Sequence, residues 1–216
     1  MLQALYSFEK MWAIAQLKSE GNEMKRVAGI DVSYKGDRYT AALVMFEGQK
    51  LTDVWIKSGI SRDLYRPSLF FLKESPIISD LIYGECVDLV FINGHGICHP
   101  YSYGLATVVG MTHGIATIGF ARELIKGKYD ETPSGNQNMT YITQKGIIKA
   151  VAIKQPRGKK PVYISQGFGI SLEKTIEEYR RWAVHGKVPE PLRLAHLYAK
   201  NESNERGRNS WMIKKD

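Results

Sequence analysis

Three neighbouring stretches decide the fold: Val27-Ala28-Gly29-Ile30-Asp31-Val32-Ser33-Tyr34, then Tyr39 to Phe46, then Leu51 to Lys57. Lys35-Gly36-Asp37 separates the first pair and Glu47-Gly48-Gln49-Lys50 the second. Each run is apolar and of strand length, and each break is a short glycine-bearing turn. Connections that short join antiparallel neighbours, so the segment predicts a three-stranded meander.

Downstream the pattern changes. A helix is expected from about Pro67 to Tyr83, with Pro76 as a candidate break. Val87-Asp88-Leu89-Val90-Phe91-Ile92 is a nearly continuous apolar run, which suits a buried parallel strand. It ends in the glycine-rich Gly94-His95-Gly96. Gly104 to Met111 reads as a helix and Ile115 to Phe120 as a second buried strand. Residues 128–140 are polar and turn-rich and read as a mobile loop. Gly146 to Lys154 and Pro161 to Ser165 read as strands, and Gly167-Phe168-Gly169 as a turn. Ser171 caps a closing helix to about Val184. Upstream, Leu5, Phe8, Trp12 and Ala15 fall at helical spacing. A meander followed by alternating helices and buried strands predicts an α/β domain around one mixed sheet, the shape of ribonuclease H-like folds. One domain is expected over residues 1–200, with a polar, frayed tail over 201–216.

The formal net charge of +8 is unevenly placed. Residues 1–119 carry 11 Lys and Arg against 12 Asp and Glu, a net of −1, whereas residues 120–216 carry 19 against 10, a net of +9. A basic half points to an anionic partner, nucleic acid being the commonest, although a merely basic protein has the same composition. Two cysteines, Cys86 and Cys98, give no disulfide framework. Neither a signal peptide nor an apolar run of membrane-spanning length is found, so no membrane partner and a cytoplasmic location are expected.

Asp31 lies inside an apolar strand, where an unpaired carboxylate is costly and calls for a partner or a metal; it could equally sit on the solvent face of a strand end. Glu74, beside Lys73, could be an ordinary solvated helix residue. Gly94 and Gly96 close a buried strand, where α/β sheets bind ligands and where glycine lets backbone come close; a tight turn needs the same residues. His95, Cys98 and His99 do not complete a zinc site, because no second ligand pair stands at metal spacing. Arg122 follows the strand ending at Phe120 and could hold a phosphate.

Taken in order, these segments resemble the endonuclease V family over roughly residues 25–200. Val27 to Tyr34 resembles its first strand, Tyr65-Arg66-Pro67 and Leu72-Lys73-Glu74 its wedge motif and catalytic Glu, and Asp88 to Gly96 with His99-Pro100 and Gly104-Leu105-Ala106 its central signature. Thr117-Ile118-Gly119 fits the next strand. Pro161 to Ser165 and Val188-Pro189-Glu190-Pro191-Leu192-Arg193-Leu194-Ala195-His196 fit the end. The resemblance implies cleavage of deaminated, inosine-containing DNA or RNA one nucleotide 3′ to the lesion, with magnesium or manganese as cofactor; separately, the chain is expected to act as a monomer. It implies that Asp31 and the residue at 93 bind metal and that Glu74 holds a metal-linked water. Tyr65 would be the wedge, with Pro67 and Ser68 beside it, and Gly94, His95, Gly96, His99 and Arg122 would contact the substrate.

The chain departs from that pattern where the chemistry is expected. The second metal-binding Asp is Asn93, and an active-site His expected near the end is matched to Phe168, which would make that position degenerate. A Gly after the wedge is Ser68, an Arg after His99-Pro100 is Tyr101, and a Lys is Arg122. Two functions therefore stand side by side: a metal-dependent endonuclease of reduced activity, and a catalytically inactive relative that binds nucleic acid or protein.

Overall fold

The computed structural model describes residues 12, 13, 16, 23–61, 70–125, 128–133, 138–154, 160–205 and 211–214. Tyr65, Pro67 and Ser68, and most of the helix expected at the start of the chain, lie outside them.

The meander forms as expected: β1 (Arg26–Lys35), β2 (Arg38–Glu47) and β3 (Lys50–Ile60) pair antiparallel in sequence order. The central run becomes β4 (Leu89–Asn93), which lies parallel to β1, and β5 (Ala116–Ala121) lies parallel to β4. Asp88 fixes where β4 begins, because its Oδ2 accepts the backbone N–H groups of Lys25 and Arg26 at 3.0 and 2.9 Å. Beyond β5 the sheet continues antiparallel through β9 (Val162–Phe168), β8 (Ile147–Ile153), β7 (Met139–Gln144) and β6 (Asp130–Pro133). The far edge is β10 (Trp211–Lys214), paired with β3. The order across the ten strands is β10-β3-β2-β1-β4-β5-β9-β8-β7-β6, which is the mixed α/β sheet the sequence predicts.

Helices cover both faces. On one face, α1 (Phe70–Ile82) and α2 (Leu105–His113) pack Ile78, Leu81 and Val109 against Ile30, Leu43 and Ile92. On the other, α3 (Leu172–Trp182) and α4 (Glu190–Glu205) pack Trp182, Leu192 and Ala195 against Val44, Phe91 and Ile118. With both faces covered, β2 buries seven consecutive residues from Thr40 to Phe46, so the strand shows no alternation of apolar and polar positions.

Several expectations change. The loop expected over 128–140 supplies β6 and the start of β7, whose backbone groups pair across the sheet. β9 runs through Phe168, and the turn falls at Gly169, where φ is 60°. Pro76 does not break α1. The closing helix begins at Leu172 with Ser171 as its cap, the hydroxyl accepting from Lys174 N–H at 3.2 Å, but it is not the last helix. α4 was not expected, and it reaches Glu205. The tail expected to fray adds edge strand β10.

Candidate active site

Strand register builds the centre of the site. The parallel ladder pairs Ile30 with Ile92, so the next residues stand side by side where that ladder ends, Asp31 midway along β1 and Asn93 at the carboxyl end of β4. Both follow the alternation of Val27, Leu89 and Phe91, and therefore face α4. Asn93 Nδ2 donates to Asp31 Oδ1 at 2.7 Å.

The helix above is unusually close. A Cβ on Gly29 would stand 2.1 Å from the carbonyl carbon of Pro191, so only glycine lets α4 lie on β1 here. From Pro191 to His196 the helix advances about 7.5 Å, and from Gly29 to Asp31 the strand advances about 6.6 Å. The contact that seats Pro191 therefore delivers His196 to Asp31, with Nδ1 and Oδ2 2.6 Å apart. Asp31 is 4% exposed and each of its oxygens has a partner.

Glu74 comes from the other face, on α1. It is 3% exposed, and burial first, then the Asp31 carboxylate, push its pKa up to about 8, against weaker lowering by the Tyr34 hydroxyl and Lys73. Lys73 also lies 4.1 Å above the Tyr34 ring, tying α1 to the end of β1.

The loop after β4 is packed onto the sheet for a reason the sequence reading missed. Neither Gly94 nor Gly96 has positive φ. A Cβ on Gly96 would meet Gln166 O at 1.9 Å, because the loop lies directly across β9. Its N–H groups are used there: Gly96 donates to Ser165 Oγ at 2.9 Å and Ile97 to Gln166 O at 2.7 Å. The glycines thus serve protein-to-protein approach. His95 stays neutral well below pH 7, its pKa lowered to about 4 by burial and by His99. His99 is buried, and Arg122 is exposed just past β5.

The structure therefore brings together Asp31, Asn93 and Glu74 and adds His196, which the sequence reading quoted in its closing motif without giving it a role. The expectation for Phe168 is corrected. Phe168 pairs with Thr117 on β5, three strands from Asp31 and toward the opposite end of the sheet. It is fully buried, with its ring 5.2 Å from that of Trp12 and its Cβ close over Gly110 of α2. The imidazole beside Asp31 is that of His196, on α4.

A magnesium or manganese ion needs several hard oxygen donors, carboxylates above all. Here one expected carboxylate is an amide whose NH2 group faces Asp31, and both Asp31 oxygens are engaged. Among the described residues, no group of three or more His, Cys, Asp or Glu side chains is arranged to hold a metal. As folded, this donor set fits its own members and does not fit a tightly held dication.

The comparisons with known proteins agree with the geometry. A sequence model of the family described as Endonuclease V matches residues 9–197. An endonuclease V of Methanopyrus kandleri is 33% identical over 181 residues, covering 83% of this chain and 79% of the relative. Among solved structures, endonuclease V from Streptomyces avermitilis superimposes with a TM-score of 0.75 at 23% identity, covering 91% of this chain and 93% of the other. The Ciona intestinalis endonuclease V, solved with a 24mer DNA containing an inosine followed by a ribo-adenosine, gives a TM-score of 0.75 at 20% identity, covering 94% and 99%. Among the described residues no helix is long and apolar enough to cross a membrane.

Proposed function

The chain belongs to the endonuclease V family, and on that footing we propose that it recognises inosine-containing nucleic acid as a monomer, while its magnesium-dependent phosphodiester cleavage is weak or lost. Recognition is supported by the family's retained loop, with Gly94 against Leu105 of α2, Gly96 seated on β9, and neutral His95 hydrogen-bonded to the Glu123 backbone, which leaves its other ring nitrogen as an acceptor. The +9 net charge after position 119 supplies phosphate contacts.

Weak cleavage rests on one observation, the 2.7 Å hydrogen bond from the Asn93 amide to Asp31. The amide removes a negative charge at the point where the family binds its ion, and it occupies an oxygen that an ion would need. The chain's own groups can still handle protons. With its proton on Nδ1, His196 donates to Asp31 and leaves Nε2 as a base on a side chain that is 43% exposed. Glu74 is protonated near neutral pH and faces the same carboxylate as an acid.

Binding and cleavage are tested together, on inosine-containing and unmodified DNA and RNA, with magnesium and with manganese. The expected result is salt-sensitive binding with a preference for inosine and little cutting in magnesium. Robust magnesium-dependent cutting would overturn the proposed loss of activity. Absence of binding at low salt would overturn recognition and favour a protein partner.

A further inference from the structure

The loop between β4 and α2 carries two exposed tyrosines, Tyr101 (66% exposed) and Tyr103 (42%). Single exposed apolar side chains are ordinary, but Tyr101 is held in place. Its N–H donates to His99 Nδ1 at 3.3 Å, and its ring stands 5.7 Å from the His99 ring at 46°. His99 is 2% exposed and itself meets Phe71 edge-on, with ring centroids 6.2 Å apart. Phe71, His99 and Tyr101 thus form a row of rings from the start of α1, one helical turn from Glu74, to the surface.

The backbone beneath Tyr101 is also fixed. Ser102 N–H donates to His99 O at 2.8 Å, and Gly104 N–H to Gly96 O at 3.1 Å. Ser102 has a φ of 59°, which turns the chain sharply between the two tyrosines. On the far side, Lys149 Nζ of β8 donates to Ser102 Oγ at 2.9 Å, placing a cation at the foot of the turn. An aromatic face pinned by a buried neighbour, with an ammonium beside it, has the chemistry of a single-strand stacking platform: the ring takes a base face and the cation the adjoining phosphate.

We propose that Tyr101 stacks on an unpaired base flanking the site, with Lys149 on the neighbouring phosphate, so that the chain favours single-stranded over duplex nucleic acid. The proposal rests on the nucleic-acid reading above and adds the form of the strand. A duplex keeps its bases stacked on one another and offers the ring only an edge or a backbone, whereas a single strand offers a free π-face.

The test is fluorescence anisotropy in chelator at low salt. It uses a labelled oligothymidylate, the same strand with abasic spacers, and a duplex of equal length, with wild type, Tyr101→Leu and Tyr101→Phe. The base-bearing strand should bind tightest. Tyr101→Leu should weaken it about tenfold and leave the abasic strand unchanged, while Tyr101→Phe should retain wild-type affinity. Equal, salt-sensitive binding of base-bearing and abasic strands would leave the nucleic-acid reading standing and overturn the platform, as would a Tyr101→Leu loss equal for both strands. Binding of none of the three probes by the wild type would overturn both.

Discussion

The two ends of the central sheet are built in opposite ways. Where the β1–β4 ladder ends, Asp31 holds the Asn93 amide and the His196 imidazole, each oxygen of this nearly buried carboxylate having a partner, and its charge acts on buried Glu74 from the other face. Toward the other end, the Phe168 ring meets the Trp12 ring edge-on, Phe168 Cβ lies against Gly110, and Thr117 Oγ1 on the same side of Gly110 donates to Ala106 O at 2.7 Å. The first end holds ionisable groups, among them Glu74, whose pKa burial and the Asp31 charge push up to about 8. The second is a dry core. An aromatic residue at position 168 therefore says nothing about catalysis, whereas an amide at position 93 says a great deal.

The largest effect is expected from carrying the chemistry of one end into the other. Phe168→His would bury an imidazole in the dry core and should destabilise the fold by roughly 3–5 kcal/mol, a fall in melting temperature of about 10 °C or more. It should restore no cleavage, alone or with Asn93→Asp. Inosine-dependent cutting gained by Phe168→His would break the contrast between the two ends.

Glu74→Gln follows. A carboxyl group held at about 8 against an ordinary 4.5 lends stability that is fully present below about pH 4.5 and lost as pH rises through about 8. The amide does not ionise, so the variant should lose that pH dependence and be more stable than wild type above pH 8 by a few kcal/mol. Denaturant unfolding at pH 5, 7 and 9 reads it, and parallel curves for the two proteins would contradict the burial and charge assigned to Glu74.

Asn93→Asp should raise divalent affinity about a hundredfold, worth roughly 2.7 kcal/mol, measured by calorimetry with manganese. In chelator the same variant should melt lower than wild type, because a second carboxylate then faces Asp31 without a cation. Unchanged metal affinity would mean that the ion's place is not between β1 and β4.

The smallest change is expected for His196→Ala. A partly exposed hydrogen bond to a carboxylate contributes about 1 kcal/mol or less, so the melting temperature should shift by only a few degrees. Any residual cleavage by the Asn93→Asp protein should fall much further when His196 is also replaced. Equal cleavage with and without His196 would remove the imidazole from the chemistry.

Much of this was legible along the chain, and the failures share a cause. β1 to β5 were readable because each is a short apolar run between glycine-rich breaks, and because such runs permit few pairings. Asp31 and Asn93 were legible as a pair through the family resemblance, since each local stretch alone left its residue open to an ordinary role. α4 was not read because prolines at 189 and 191 open it and its buried residues, Leu192, Ala195 and Ala199, are spaced among polar ones. β6 was not read because an edge strand needs little apolar content, and β7, paired with β6 and β8, alternates apolar residues with polar ones over only a few positions.

The sequence by itself determined the mixed sheet, from local pattern, and, through its resemblance to the family, the pairing of Asp31 with position 93 and the amide where a carboxylate is expected, from residue identity. Tertiary structure alone decided which imidazole reaches Asp31. His196 lies 165 residues from its partner, and its approach depends on α4 settling onto the bare backbone of Gly29. The burial that holds Glu74 near 8 was decided in the same way. Both are properties of packing across the two faces of the sheet, and no local stretch of chain encodes a distance between helices.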